Sequence, residues 1–194
     1  MMRKRPLERP TIEAIKTEIS RIQYNRRYQA VLRSTIYTLI TVAAVAVLVA
    51  TLWLPVLQIY GSSMTPNLED GQIVFSVKNQ ELEQGDIIAF YYNNKILIKR
   101  VIAKGGDWVN MDRSGNVFVN DIPLAEPYLT DKSYGDADVE FPYQVPDGKL
   151  FVMGDHRSTS ADSRHTAVGC IDGEQIVGRI LFRVWPLEQF GPVT

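Results

Sequence analysis

From Ser34 to Gln58 the chain carries no charged side chain, and that run constrains the fold more than any other feature. Within it, Ile36–Leu57 supplies about 20 mostly apolar residues, enough to cross roughly 30 Å of hydrocarbon as a helix. A helix buried in a soluble body usually keeps a polar face, whereas this stretch offers little beyond Thr35, Thr38, Thr41 and Thr51. Tyr37 and Trp53 stand near its ends, where amphipathic rings favour the membrane interface. Ala44-Val45-Ala46 has the small-x-small form of a leader cleavage site, but it lies inside the apolar run, and residues 1–33 precede that run. An uncleaved anchor fits better than a removed leader.

Charge sets the expected orientation. Residues 1–33 hold nine Lys/Arg against three Glu, and the remainder holds 12 basic and 19 acidic residues. The basic flank should stay in the cytoplasm. The expected organisation is a partly helical cytoplasmic flank over 1–33, a transmembrane helix over 34–57 and an extracytoplasmic body over 58–194, of a size that suits one domain. Pro55 helps to end the helix. In the flank, Ile12, Ile15, Ile19 and Ile22 recur at helical spacing, with Glu13 near the favourable end of the helix dipole. That stripe suits a membrane surface, a partner helix or a solvated helix.

The body has a single cysteine, Cys170, so no intramolecular disulfide is available and packing must hold the fold. Its apolar setting, Val168-Gly169-Cys170-Ile171, suits a small buried hydrophobe. With two histidines and no Cys/His cluster, no metal ligand set is expected. The β-rich runs are Gln72–Val77, Asp86–Tyr92, Ile96–Lys104, Trp108–Met111, Val117–Val119, Leu150–Met153 and Ile176–Trp185. Turn signals separate them at Asn93-Asn94, Gly105-Gly106, Ser114-Gly115-Asn116 and Pro146-Asp147-Gly148. A mainly β, antiparallel catalytic body on a single N-terminal transmembrane helix follows. Leu124–Gln144, acidic and tyrosine-bearing, reads as a long loop or insertion.

Chemistry concentrates in three segments. Ser63, in Gly61-Ser62-Ser63-Met64-Thr65-Pro66, follows the apolar run by a few residues, so any reaction there takes place at the bilayer surface. In the strand through Ile96–Lys104, alternation puts Lys99 on one face with Leu97, Val101 and Ala103. An ammonium on an apolar face loses hydration, its pKa falls, and a neutral amine able to accept a proton results. Serine is a poor nucleophile until a base takes its hydrogen, and Ser–Lys pairs are a known variant of that arrangement. The third segment is the polar Gly154–Arg164, directly after the apolar Leu150–Met153; loops leaving a rigid sheet are where orienting groups are presented. Read singly, Lys99 is also compatible with an edge-strand or snorkelling lysine, and 154–164 with a surface loop.

Together the three boxes closely resemble type I signal peptidase of the Gram-positive kind: Gly61–Leu68, then Ile98-Lys99-Arg100-Val101-Ile102 leading to Gly106-Asp107, then Gly154-Asp155-His156-Arg157 leading to Ser160-Ala161-Asp162-Ser163-Arg164. The resemblance covers about residues 36–186 and includes the preceding anchor. It implies a signal-peptidase or LexA-like β fold, with Ser63 as nucleophile and Lys99 as general base of a serine endopeptidase that removes signal peptides from exported preproteins. It further implies that Ser160 orients the lysine, that Asp155, Asp162 and Arg164 support the site, and that backbone N–H groups of Ser63 and Gly61 meet the oxyanion. A pocket around Ile59, Met64, Leu68, Leu97 and Ile98 would take small residues of Ala-x-Ala type, with the signal peptide extended as a strand. Implied partners are preproteins, the lipid bilayer and the secretion translocon, with no nucleic acid and no cofactor, in a single-pass protein of the bacterial cell membrane.

Gly61 lacks the hydroxyl that some members place there, and His156 stands where asparagine is usual. His156 and His165 allow a rival serine–histidine arrangement with Asp155 or Asp162. Two rivals of other classes are weaker. A chaperone on a peptidase-like scaffold would have lost nucleophile or base, and a self-cleaving repressor would carry a DNA-binding domain, for which residues 1–33 are too short.

Overall fold

The computed structural model describes residues 11–53, 55–78 and 81–193, in two compact units, 1–50 and 51–194. The first ten residues of the basic flank, Leu54 and the Trp53 side chain lie outside that description.

One continuous helix, α1, runs from Ile12 to Trp53 over 42 residues, so the flank and the apolar run are a single element. It is long and apolar enough to cross a bilayer, with a mean hydropathy of 1.9 in its most apolar stretch. Inside that stretch the hydroxyls of Thr35, Thr38 and Thr41 donate to the carbonyls of Val31, Ser34 and Tyr37 at 3.0, 2.9 and 2.9 Å. A threonine bonded back to its own helix leaves no hydroxyl to be satisfied by lipid. The helix stops before Pro55, which cannot donate to the ladder.

The second unit is built of short antiparallel strands: β1 Val56–Gln58, β2 Ile73–Val77, β3 Ile87–Tyr92, β4 Lys95–Lys104, β5 Trp108–Met111, β6 Val117–Val119, β7 Ile122–Pro123, β8 Tyr143–Gln144, β9 Lys149–Met153, β10 Ile171–Asp172, β11 Ile176–Trp185 and β12 Gly191–Pro192. The larger sheet has the order β1-β2-β11-β3-β4-β9-β10, with β12 on β11; the smaller has the order β7-β6-β5-β8. β5, β6 and β11 keep the bounds read from the sequence, and β2, β3, β4 and β9 shift by one residue.

Val56 and Leu57, assigned above to the membrane helix, instead pair with Phe75 and Val74 of β2. An apolar pair such as Val56-Leu57 satisfies a helix and a strand pattern equally, and Pro55 decides between them. The Leu124–Gln144 segment is irregular until Tyr143, which pairs with Val109. Its Leu124, Tyr134, Phe141 and Tyr143 pack on the core cluster of Ile102, Val109, Phe151 and Met153. The insertion is thus fastened to the body by its own apolar side chains.

Candidate active site

The Ser63 turn is fixed on both sides. Gly61 sits at φ +86°, a conformation open to glycine, and its N–H donates to Asp70 Oδ1 at 2.7 Å. Thr65 donates to the Ser62 carbonyl through its N–H at 3.1 Å and its hydroxyl at 2.8 Å. Met64 and Leu68 are buried in a cluster with Ile59, Val74 and Ile180, so the residue after Ser63 anchors the turn. The Ser63 carbonyl accepts the His156 N–H at 3.1 Å, and the Ser63 N–H has no hydrogen-bond partner among the described residues.

Lys99 lies in the middle of β4, opposite Ile88 of β3, and is 3% exposed. Its Nζ is 2.7 Å from Ser63 Oγ. Burial pushes its pKa down from 10.5 to about 8, against the opposing charges of Asp162 and Asp155 and with the help of Arg164. The apolar face expected for it is present in part. Leu97 and Val101 pack in the cluster with Ile88 and Phe90, but the β4–β9 register shifts between Val101 and Ala103, and Ala103 turns into the cluster of Ile102 and Phe151.

Behind the dyad stands a shell of buried ions. Arg100 holds Asp155 bidentately, Nε to Oδ1 at 2.9 Å and Nη2 to Oδ2 at 2.8 Å. Asn67 adds a bond to Asp155 Oδ2 at 2.8 Å and another to the Tyr128 carbonyl at 2.9 Å, and the Arg100 guanidinium lies 3.9 Å from the Tyr128 ring centre. Arg164 holds Asp162 through Nε at 2.8 Å and Nη2 at 2.9 Å, and Asp162 Oδ2 accepts the Gly154 N–H at 2.9 Å. Burial would raise the Asp162 carboxyl, but the bonds and charge of Arg164 and the Gly154 N–H outweigh it, and its pKa is lowered. Arg157 pairs with Glu126 and donates from Nε to the Gly154 carbonyl at 3.1 Å. Paired in this way, the charges escape the full desolvation cost of isolated buried ions.

Three expectations need correction. The Ser160 hydroxyl is buried and makes no hydrogen bond to Lys99; the neighbour it acts on is the Asp162 carboxylate, whose pKa it helps to lower. The Gly61 N–H is occupied by Asp70 and is not free to meet an oxyanion. Leu68 is fully buried beneath the pocket rather than on its wall. The rival histidines also lose ground. His156 Nδ1 faces Thr65 Oγ1 at 3.1 Å and the Ser62 carbonyl at 3.3 Å, while His165 lies beside Asp136 and Asp138 at 3.6 and 4.0 Å. Arg100, Asn67, Glu126, Tyr128 and Arg157 escaped the sequence reading. Arg100 alone carried a signal, as a charged residue inside an apolar strand that demands a buried acid.

An apolar groove of about 850 Å³ opens at Ser63 and Lys99, walled by Val56–Tyr60, Met64 and Asn94–Ile98. Ile59, Met64, Leu97 and Ile98 are among its lining residues. β9 pairs with β4 only from Arg100 onward, so the Lys95–Lys99 edge of β4 is open along the groove. Gly154 presses on the other side of the site. A Cβ there would collide with Ser160 Oγ and lie within 2.5 Å of the Ser63 carbonyl oxygen. Gly154→Ala should therefore displace the Ser63 turn and cut kcat about 100-fold, the usual cost of ~1 Å of misplacement, as read in steady-state cleavage assays.

A serine hydroxyl against a buried, easily neutralised lysine, beside an apolar groove with an open strand edge, is an arrangement of the serine peptidase class. The model of the family "Signal peptidase, peptidase S26" matches residues 32–185. Signal peptidase IB of Staphylococcus aureus (strain Mu50) is 37% identical over 153 residues, covering 68% of this chain and 78% of its own length. Signal peptidase I of Streptococcus pneumoniae serotype 4 is 30% identical over 173 residues, covering 69% and 83%. The chain belongs to the S26 signal peptidase family, as a type I signal peptidase. A crystal structure of a signal peptidase I from Enterococcus faecalis V583 aligns with 52% of this chain and 97% of its own at 28% identity, with a TM-score of 0.44, too low to bear on the fold described above.

Proposed function

We propose that the chain is a membrane-anchored endopeptidase that removes signal peptides from exported preproteins, with Ser63 as nucleophile and Lys99 as general base. The contact of 2.7 Å between Lys99 Nζ and Ser63 Oγ carries this reading. With its pKa near 8, the amine is neutral in a useful fraction of molecules at neutral pH. Neutral Nζ takes the Ser63 proton as Oγ attacks the scissile carbonyl, then returns it to the departing amine, and a water deacylates the enzyme by the same route. The unpartnered Ser63 N–H meets the oxyanion without reorganisation.

The signal peptide adds as an extended strand to the open Lys95–Lys99 edge, its backbone bonded to β4 and its small residues, one and three before the cut, set against Ile59, Met64, Leu97 and Ile98. Asp155, Asp162 and Arg164 hold the loop that presses Gly154 on the turn. With β1 moved to the body, the division becomes a flank over 1–33, a membrane helix from 34 that ends before Pro55, and a body from Val56 onward; the flank is cytoplasmic, the body is extracytoplasmic in a single-pass bacterial membrane protein, and the bilayer and translocon are its partners.

The test is a pH–rate profile on a labelled preprotein. Lysine catalyses only when deprotonated, so kcat/KM should rise with pH through about 8 and then level off. A limb that falls across that range would sink the assignment. Exchanging the small residue before the cut for phenylalanine should abolish cleavage at that bond.

A further inference from the structure

Ser63 has a second cavity beside it. A polar cleft of about 210 Å³ lies past the turn, lined by Thr65, Pro66, Asp155, His156, Arg157 and Ser158 on one side and by Thr130, Asp131 and Ser133 of the Leu124–Gln144 insertion on the other. It shares no lining residue with the apolar groove. His156 links it to the nucleophile, because the His156 N–H holds the Ser63 carbonyl while the residue itself forms part of the cleft wall.

We propose that this cleft is the subsite for the substrate residues just beyond the scissile bond, the first residues of the mature chain, and that it selects hydrogen-bonding and cationic side chains against acidic ones. The proposal rests on the peptidase reading above. If the apolar groove takes the chain before the cut, the chain after the cut must leave Ser63 on the other side of the turn. Each extended residue advances about 3.3 Å, and the cleft wall at His156 is hydrogen-bonded to the Ser63 carbonyl at 3.1 Å, so the cleft is within reach of the residues that follow the first one after the cut.

The lining sets the chemistry. Asp155 is neutralised by Arg100, and Arg157 by Glu126. Asp131 is exposed and forms no ion pair among the described residues, so the uncompensated charge presented to an incoming side chain is negative. The remaining wall offers the hydroxyls of Thr65, Thr130, Ser133 and Ser158 and the His156 imidazole. The wall formed by the insertion is also fixed in place. Glu126 is tied to Arg157, the Tyr128 carbonyl to Asn67 at 2.9 Å, and the Tyr134 carbonyl to Arg164 Nη1 at 2.8 Å. The insertion thereby gains a role in selectivity.

The full-length protein in detergent would be given one preprotein with lysine, serine, leucine or aspartate as the second residue after the cut, beside an alanine reference. In the wild type kcat/KM for the lysine substrate should exceed that for aspartate about five-fold, as a single exposed charge allows, with the difference in KM rather than kcat, and 0.5 M salt should shrink it. Asp131→Asn should bring the ratio below about two-fold. Because the ratio is internal to each protein, any loss of folded enzyme cancels. A flat series in the wild type, or an unchanged ratio in Asp131→Asn, overturns the cleft assignment while cleavage of the alanine reference upholds the peptidase reading. Failure to cleave the reference overturns both.

Discussion

Lys99→Met should abolish preprotein cleavage, with a loss of at least 10³-fold in kcat, while leaving the protein more heat-stable at pH 7 than the wild type. Both halves follow from one fact. Lys99 is 3% exposed, and burial brings its pKa from 10.5 to about 8. A shift of that size corresponds to a charge held at a cost of about 3 kcal/mol, and methionine fills a similar volume without the charge. Below pH 8 the native and unfolded chains are both protonated and the full cost applies. Between pH 8 and 10.5 the unfolded chain holds the proton that the native chain has lost, so stability rises with pH. The wild type should therefore gain stability across that window, and Lys99→Met should not. Thermal melts at several pH values, run beside the cleavage assay, check both. A loss of activity accompanied by a lower melting temperature throughout would point to a structural lysine.

Asp162→Ala should cost about 3–5 kcal/mol, because it leaves Arg164 buried without its acid. Native domains have only about 5–15 kcal/mol in hand, so chemical denaturation should show a large loss. The carboxylate also holds the Gly154 N–H at 2.9 Å, and its charge raises the Lys99 pKa while Arg164 lowers it. Removing it should move the rising limb of the pH–rate profile below pH 8. Asp162→Leu with Arg164→Met should recover much of the stability but not the wild-type position of the limb. A limb that stays in place would show that Asp162 acts through folding alone.

The close Ser63–Lys99 pair, proposed above as nucleophile and base, was legible because its chemistry is local. A lysine inside an apolar alternating strand and a serine just past an apolar run can each be seen in a few residues. The pairing of the residues around them was not, because it is made between distant partners. Arg100 meets Asp155 across 55 positions and Asn67 meets Asp155 across 88, and nothing in either neighbourhood names the other. β1 was hidden by its likeness to the end of the apolar helix. The fate of Ala103 depends on a register shift that alternation does not foresee. The second oxyanion donor was misread for the same reason: the acceptor for the Gly61 N–H, Asp70, sits nine positions on, in a loop whose course only the folded turn defines.

Attack by Ser63 Oγ on the scissile carbonyl can be followed by incubating a labelled preprotein with the wild type, Ser63→Ala and Ser63→Cys and sequencing the new N-terminus of the product. The wild type should cut once, after a small residue, Ser63→Ala should give no product above background, and Ser63→Cys should cut the same bond slowly. Cleavage by Ser63→Ala at the wild-type rate would show that Ser63 is not the nucleophile.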